Sequence, residues 1–408
     1  MNLPRPRFET AITPASAEAA RRHLQAARSA CRDGAEWPRI DLRAPDETLA
    51  VVGAGTMGSG IAQAAIAAGL RTVLIDERPE GLARGVQRIR DSLDHQESRG
   101  RLDPGGREAQ LARLCPTTDW AAVRGADIVI EAVYENLQVK QALMAQLHRL
   151  CPAHTLLVSN TSTLDLDAIA EASGRPAQVV GMHFLTPAQV IPLLEVVRTA
   201  SVDAPSLARA RRLAERLGKL PVMSGNAWGF IGNRLFEPYL REVDALQLEG
   251  VSAARIDRAL ESWGMVIGPC RSLDMAGTDL VSQVLAERGR RYPQGPAYRR
   301  ITRRLAELGR FGHKTGRGHY LYEGRCAVPD PDLARVCAEA AAELGIAPRP
   351  EVSDAEIVSR CVGPLIDEGR QVLAEGVACR SGDIDLVWVI GYGFPADRGG
   401  PMHFAGGA

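Results

Sequence analysis

His183 and Glu195 stand twelve residues apart in two short apolar runs, Val179 to Phe184 and Leu193 to Val197. Between the runs lies the proline-broken connection Thr186-Pro187-Ala188-Gln189, and a hairpin-like return over that distance brings imidazole and carboxylate together. A carboxylate beside an imidazole fixes its tautomer and raises its basicity, which suits a base that removes a hydroxyl proton during hydride loss. Taken singly, either residue also fits an ordinary strand position. Two further segments weigh against that. Ser159-Asn160-Thr161-Ser162-Thr163 follows the apolar strand Leu156-Leu157-Val158, and Gly229 to Arg234 opens a long helical stretch. Ser162 and Asn233 can both donate to a substrate oxygen.

A destination for the hydride is written upstream. The apolar strand from Leu49 to Val52 runs into Gly53-Ala54-Gly55-Thr56-Met57-Gly58, a helix-like run from Ile61 to Ala68 follows, and a second strand ends on Asp76. Strand, glycine-rich turn and helix in that order form the context a dinucleotide fingerprint requires. Gly53 permits the turn, Gly55 lets backbone approach a pyrophosphate, and Gly58 allows close helix–strand packing, with the helix start facing the phosphate charge. Asp76, 18 residues past Gly58, is placed to bind the ribose 2′-hydroxyl. A carboxylate there repels a 2′-phosphate and so favours NAD over NADP, although Arg78 stands nearby.

At these residues the chain resembles the L-3-hydroxyacyl-CoA dehydrogenase family. The motifs are GAGTMGSGIA from residue 53, EAVYENLQVK from 131, SNTSTL from 159, GMHF from 181, GFIGNRL from 229 and FGHKTGRGHY from 311. The resemblance runs from about Leu49 to the C-terminus. It implies that His183 is the catalytic base, that Glu195 orients it, and that Ser162 and Asn233 hold the substrate oxygen. It places Thr56, Met57, Glu135, Lys140 and Asn160 near the NAD cofactor, and Ser92 and Arg99 on the coenzyme A moiety, although lysine is commoner around position 99. Phe184-Leu185-Thr186-Pro187 departs from the usual Phe-Phe-Asn-Pro or Phe-Phe-Ser-Pro, which leaves acyl-chain length open. Within the family the chain is most similar to the dehydrogenase part of the bifunctional fatty-acid oxidation enzymes, without their preceding hydratase domain. An enoyl-CoA hydratase or a thiolase is therefore an expected partner. A dehydrogenase of a free 3-hydroxy acid, and a non-catalytic NAD-binding subunit, are the rival readings.

The elements that must position these residues follow in order. Residues 1–48 read as a leader or linker with an amphipathic alanine-rich helix. Residues 49–225 read as an α/β Rossmann-type domain with a mostly parallel sheet, and 226–324 as an all-α domain. A linker, 325–352, leads to a shortened second copy of the helical domain, 353–408. The copy rests on a recurrence at an offset of 126 residues, pairing Arg234 with Arg360, Pro238 with Pro364, Glu242 with Glu368, Gly250 with Gly376, Asp257 with Asp383 and Pro269 with Pro395. Ser359 replaces Asn233 there. The family's single-copy members dimerise through this domain, so the second copy is expected to cover that face, giving a monomer with an internal pseudo-dimer, or else a homodimer.

Composition limits the partners. Lysine plus arginine and aspartate plus glutamate both number 49, so neither nucleic acid nor an anionic membrane is an expected partner. No apolar run reaches membrane length. The eight cysteines show no Cys-x-x-Cys pair, which fits reduced thiols in the cytoplasm. His313, His319 and Cys326 read as turn residues at a strand boundary, and no metal is expected. Only Lys140, Lys219 and Lys314 are lysines in a chain that otherwise uses arginine. Lys140 and Lys314 sit inside family motifs, where a compact ammonium suits better than a planar fork.

Overall fold

The computed structural model describes residues 8, 11–38, 47–324, 326–349 and 351–406. Much of the expected leader, residues 1–7, 9–10 and 39–46, lies outside the described residues. The chain divides into two compact units. One comprises Gln25–Asn233 with Leu373–Gly391, the other Met1–Leu24, Arg234–Val372 and Tyr392–Ala408.

The first unit is built on an eight-stranded sheet. Its strands are β1 (Leu49–Val52), β2 (Thr72–Ile75), β3 (Leu114–Thr117), β4 (Ile128–Glu131), β5 (Leu156–Ser159), β6 (Val179–Phe184), β7 (Leu193–Arg198) and β8 (Leu220–Gly225). The spatial order is β3-β2-β1-β4-β5-β6-β7-β8. The first six run parallel, β7 returns antiparallel to β6, and β8 runs parallel to β7. Parallel strands covered on both faces read as continuous apolar runs, and β1, β2 and β5 are buried throughout. Alternate residues feed two cores. Leu49, Val51 and Ile130 face one side with Ile61 and Ile66 of the helix Thr56–Ala67. Ala50, Val52 and Val129 face the other with Met144 and Leu147 of the helix Leu137–Leu150. The strand order reverses between β1 and β4, the crevice where such sheets bind ligands.

The second unit is mainly helical, as expected. It continues the helix Gly232–Leu248 and contains Ala253–Trp263, Pro269–Ala276, Thr278–Arg291, Arg300–Glu307, Pro331–Glu343 and most of Asp354–Ala374. It also holds a small antiparallel hairpin of β9 (Tyr320–Glu323) and β10 (Cys326–Pro329). The stretch read as a linker thus carries a strand and a 13-residue helix, which Asp330 caps through its side chain. Buried Asp257 ties the unit together, accepting from Cys270 N–H, Arg271 N–H and Tyr320 O–H.

The C-terminal stretch differs from a separate last domain. Residues 373–391 belong to the unit of the sheet, where Gly225 donates its N–H to Val377 O at the end of β8. The amphipathic helix is present at Pro14–Asp33, and the division between units runs through it. Its later part packs on the sheet unit, with Cys31 Sγ donating to Pro221 O and Trp37 Nε1 to Cys31 O. Among the described residues no helix is long and apolar enough to cross a membrane.

Candidate active site

His183 and Glu195 are register partners across the antiparallel β6–β7 pair, so both side chains leave the same face. His183 Nδ1 lies 2.7 Å from Glu195 Oε2, and both residues are buried. The other carboxylate oxygen, Oε1, accepts the backbone N–H groups of Ile231 and Gly232 at 3.0 and 3.1 Å. These are donors at the start of the helix Gly232–Leu248, where the helix dipole favours negative charge. Phe230, in a left-handed conformation with φ of 52°, tilts its ring against the imidazole. With Nδ1 given to a fixed carboxylate, Nε2 is the nitrogen that can exchange a proton.

Asn233 follows directly and sits beside Ser162, its Nδ2 reaching the Ser162 carbonyl at 3.4 Å. All four expected catalytic residues therefore belong to one unit. The Ser162 hydroxyl donates to Glu135 Oε1 at 3.0 Å, and that oxygen also takes the Ser162 and Thr163 N–H groups and the Thr161 hydroxyl. Asn160 Oδ1 accepts the N–H of Phe184, which fixes the residue next to His183.

Lys140 lies behind this segment. Its Nζ donates to both oxygens of Glu131, at 2.8 and 2.9 Å, and lies 3.4 Å from Glu135. Burial opposes the charge on Lys140, but attraction to Glu131 and Glu135 outweighs it and holds the ammonium above its usual range. Glu135 is lowered in spite of its burial, by Lys140 and by the donors of Ser162 and Thr161. Glu131, which also accepts from the Ser159 hydroxyl, was missed in the sequence. The available signal was an acidic residue closing an otherwise apolar strand, nine positions before a rare lysine.

The glycine-rich turn separates two kinds of glycine. A side chain at Gly58 would meet Gly53 O, and one at Gly53, whose φ is 99°, would meet Ala132 O. Both are demanded by the fold itself. A side chain at Gly55 would meet nothing within 4 Å. That open cradle, at the exposed start of the helix carrying Thr56 and Met57, leaves room for an anionic group such as a phosphate. Asp76 Oδ2 accepts the Ala54 N–H and Oδ1 the Arg78 N–H, so the carboxylate that closes β2 also holds the turn. Its remaining lone pairs suit ribose hydroxyls.

Beside the turn lies a cavity of about 150 Å³ lined by Met57, Gly60, Gln63, Arg88, Thr186 and Gln189. Gln63 donates to Ser92 Oγ, which ties Ser92 to this cavity, whereas Arg99 ends its helix in solvent. The loop after β6 has a cis Thr186-Pro187 bond and is pinned by Lys219, whose Nζ donates to Ala188 O and Ile191 O at 2.7 Å each. Burial draws Lys219 down to about 8. Nothing in the sequence around Lys219 signals this contact. Among the described residues no cluster of His, Cys, Asp and Glu could hold a metal.

The chain is similar to known proteins over most of its length. The model for the 3-hydroxyacyl-CoA dehydrogenase NAD-binding domain matches residues 48–227, and that for the C-terminal domain matches 229–322. The peroxisomal bifunctional enzyme of Danio rerio is 37% identical over 386 residues, covering 91% of this chain and 53% of that protein. The chain thus spans about half the length of the curated relatives it matches. The crystal structure of 3-hydroxybutyryl-CoA dehydrogenase from Escherichia coli superposes with a TM-score of 0.72 at 29% identity, covering 85% of this chain and 89% of that one. The dehydrogenase part of multifunctional enzyme 1 from C. elegans gives 0.62 at 26% identity, covering 95% and 88%. The chain belongs to the 3-hydroxyacyl-CoA dehydrogenase family, with that family's NAD-binding domain preceding its C-terminal domain.

Proposed function

We propose that the protein catalyses the reversible oxidation of an L-3-hydroxyacyl-CoA to the 3-ketoacyl-CoA. The observation that carries this is the His183–Glu195 pair, held by the Ile231 and Gly232 amides on the sheet whose β1 turn offers an open phosphate cradle. Bound NAD would supply the acceptor for the hydride lost from C3. His183 takes the hydroxyl proton at Nε2, and Glu195 stabilises the imidazolium that forms. Ser162 and Asn233 orient the reacting oxygen, with the Ser162 hydroxyl turning from Glu135 to the substrate. Gly53, Gly55, Thr56, Met57, Gly58 and Asp76 hold the dinucleotide. Glu135, Lys140 and Asn160 keep the adjoining segment in place, and Ser92 and Arg99 meet the coenzyme A moiety.

The test is NADH oxidation with acetoacetyl-CoA and with a long-chain 3-ketoacyl-CoA, beside His183→Gln. General-base catalysis contributes roughly 10²–10⁴-fold, and the variant should lose about that much turnover. A loss under about tenfold would remove His183 from the role. Inhibition by free coenzyme A separates an acyl-CoA enzyme from one acting on a free 3-hydroxy acid. No turnover despite NADH binding would favour a subunit that works with a hydratase or thiolase.

The second-copy reading of 353–408 belongs to the same proposal. Two helices end at the same offset, at Leu248 and Ala374, and each contains its proline, Pro238 and Pro364. Arg234 pairs with Glu368, and Arg360 pairs with Glu242. Such an exchange, in which each arginine meets the carboxylate of the other copy, is the pattern of a two-fold interface. A monomer in solution is the expected state, read by light scattering. All eight cysteines are unpaired, in keeping with a reducing compartment. The cytoplasm is the compartment we favour, while the bifunctional relatives are named for peroxisomes and glyoxysomes.

A further inference from the structure

The unit that lacks the glycine-rich turn and His183 has a cavity of its own, of about 330 Å³. Its walls include Val251, Leu333, Ala338 and Ala341, with Gln247 and His319 among them. The helix Pro331–Glu343 supplies alanines where larger side chains would fill the space. That volume falls within the range of small-molecule sites, which combine apolar walls with a few placed polar groups.

The polar groups here are specific. His319 and Gln247 are each 1% exposed. His319 Nε2 and Gln247 Oε1 have no hydrogen-bond partner among the described residues. The other ring nitrogen, His319 Nδ1, lies 2.9 Å from Asp274 Oδ1. The same carboxylate accepts the N–H groups of His319 and Tyr320 and the Tyr322 hydroxyl. An ionised carboxylate only accepts, so Nδ1 carries a proton, and with the imidazole neutral Nε2 is then an acceptor. Gln247 gives one amide N–H to Val243 O, and its oxygen is a second acceptor. Asp330, also on the lining, is already held by Arg310 and Arg317 and leaves no charge to be met. The cavity therefore asks for donors and for apolar bulk, and for no charge. Buried acceptors without donors are disfavoured, so an occupant that supplies them is selected.

We propose that this cavity binds an uncharged, mostly apolar molecule bearing a hydroxyl donor, of the class of medium-chain primary alcohols. The hydroxyl donates to His319 Nε2 or Gln247 Oε1, and the chain lies along the alanines of the helix Pro331–Glu343. The site is independent of the dehydrogenase reading, because none of its residues belongs to the machinery described above.

The experiment is calorimetric titration of the whole chain with 1-octanol, beside sodium octanoate. Ala338→Leu and Ala341→Leu fill the space from two positions, and Gln247→Leu removes one acceptor at little change in volume. Saturable one-to-one binding of octanol is expected. Octanoate and the filled variants should bind at least about tenfold more weakly, with thermal unfolding showing that the variants remain folded. Soaked crystals should show the alcohol in the cavity. No saturable binding, octanoate equal to octanol, octanol binding unchanged in the filled variant that folds, or density for water alone would each overturn the proposal.

Discussion

Lys140 Nζ bridges both carboxylate oxygens of Glu131 at 2.8 and 2.9 Å, with both side chains out of contact with solvent. Removing one partner of a buried pair leaves the other charge uncompensated, which typically costs about 3–5 kcal/mol. Lys140→Met should therefore destabilise by that order in urea unfolding, and pairing it with Glu131→Gln should recover much of the loss. A cost below about 1 kcal/mol for the single change would show that water or a neighbour already compensates Glu131. Lys140→Arg is the sharper probe. A planar fork does not replace a point charge set among Glu131, Glu135 and the Val133 carbonyl. It should raise KM for NAD through the Glu135–Ser162 segment, whereas a residue that only packs would leave KM unchanged.

The candidate site residues could be picked out in the sequence because their constraints are local. A strand running into Gly53, a His and a Glu on strands joined by a proline-broken turn, and a Ser-Asn-Thr-Ser run after a strand each follow from neighbours in the chain. The sheet, its parallel sense and the β6–β7 return followed with them. What stayed hidden depends on long-range placement. Nothing near Glu195 in sequence indicates that the Ile231 and Gly232 amides, 36 and 37 residues on, will hold its second oxygen. Lys219 gave no sign that it clamps a loop 28 to 31 residues before it. His319 read as a turn residue, yet burial against Asp274 decides its position. The helix in the expected linker was masked by alanines, which carry weak periodicity.

Arg360 does more than complete the crossed pairing. It holds Glu249 through both guanidinium ends, at 2.6 and 2.9 Å, besides meeting Glu242 at 3.2 Å. The hydrogen bond from Arg360 is the main cause that holds Glu249 below the usual carboxylate range. A lowered folded-state value means stability that is present above the unfolded value, near 4.3, and is lost as pH falls through the folded one. Arg360→Ala should cost about 1 kcal/mol at neutral pH. The cost should shrink as pH falls from the unfolded value through the lower folded one, so that wild type and variant converge only below the folded value. A difference that persists undiminished into acid would assign the effect to lost packing of the arginine stem.

Lys219 makes a loop prediction and an alkaline one. Its two carbonyl contacts are the anchor of residues 188–191, which follow the cis proline and border the cavity at Thr186 and Gln189. Lys219→Met keeps the length and loses both donors. It should raise KM for the acyl-CoA more than it lowers kcat, since His183 and Glu195 keep their own anchors. The pH sign comes from burial, which draws the folded value down to about 8 against an ordinary value near 10.4. Between those values the unfolded chain binds more protons than the folded one, so this group makes stability rise with pH. Wild type should gain stability across that window relative to the variant. A gap that stays constant or runs the other way would show that the two carbonyls, by favouring the ammonium, cancel the burial.

The glycine-rich turn offers the cleanest separation of fold from function. Gly58→Ala would drive a methyl into Gly53 O, a backbone atom that cannot swing aside, and Gly53→Ala adds a positive φ to a contact with Ala132 O. Either change should lower stability by about 1–3 kcal/mol through overpacking and backbone strain. Gly55 has ordinary extended φ and ψ of −68° and −168°, with no protein atom within 4 Å of an added methyl. Gly55→Ala should therefore unfold at the wild-type temperature or slightly above, because alanine narrows the unfolded ensemble. Its KM for NAD should rise by about tenfold or more if a methyl there displaces a pyrophosphate by even a fraction of its hydrogen-bond length. Equal KM in Gly55→Ala and wild type would mean that the dinucleotide does not approach the turn, and would undercut the cofactor assignment while leaving the fold intact.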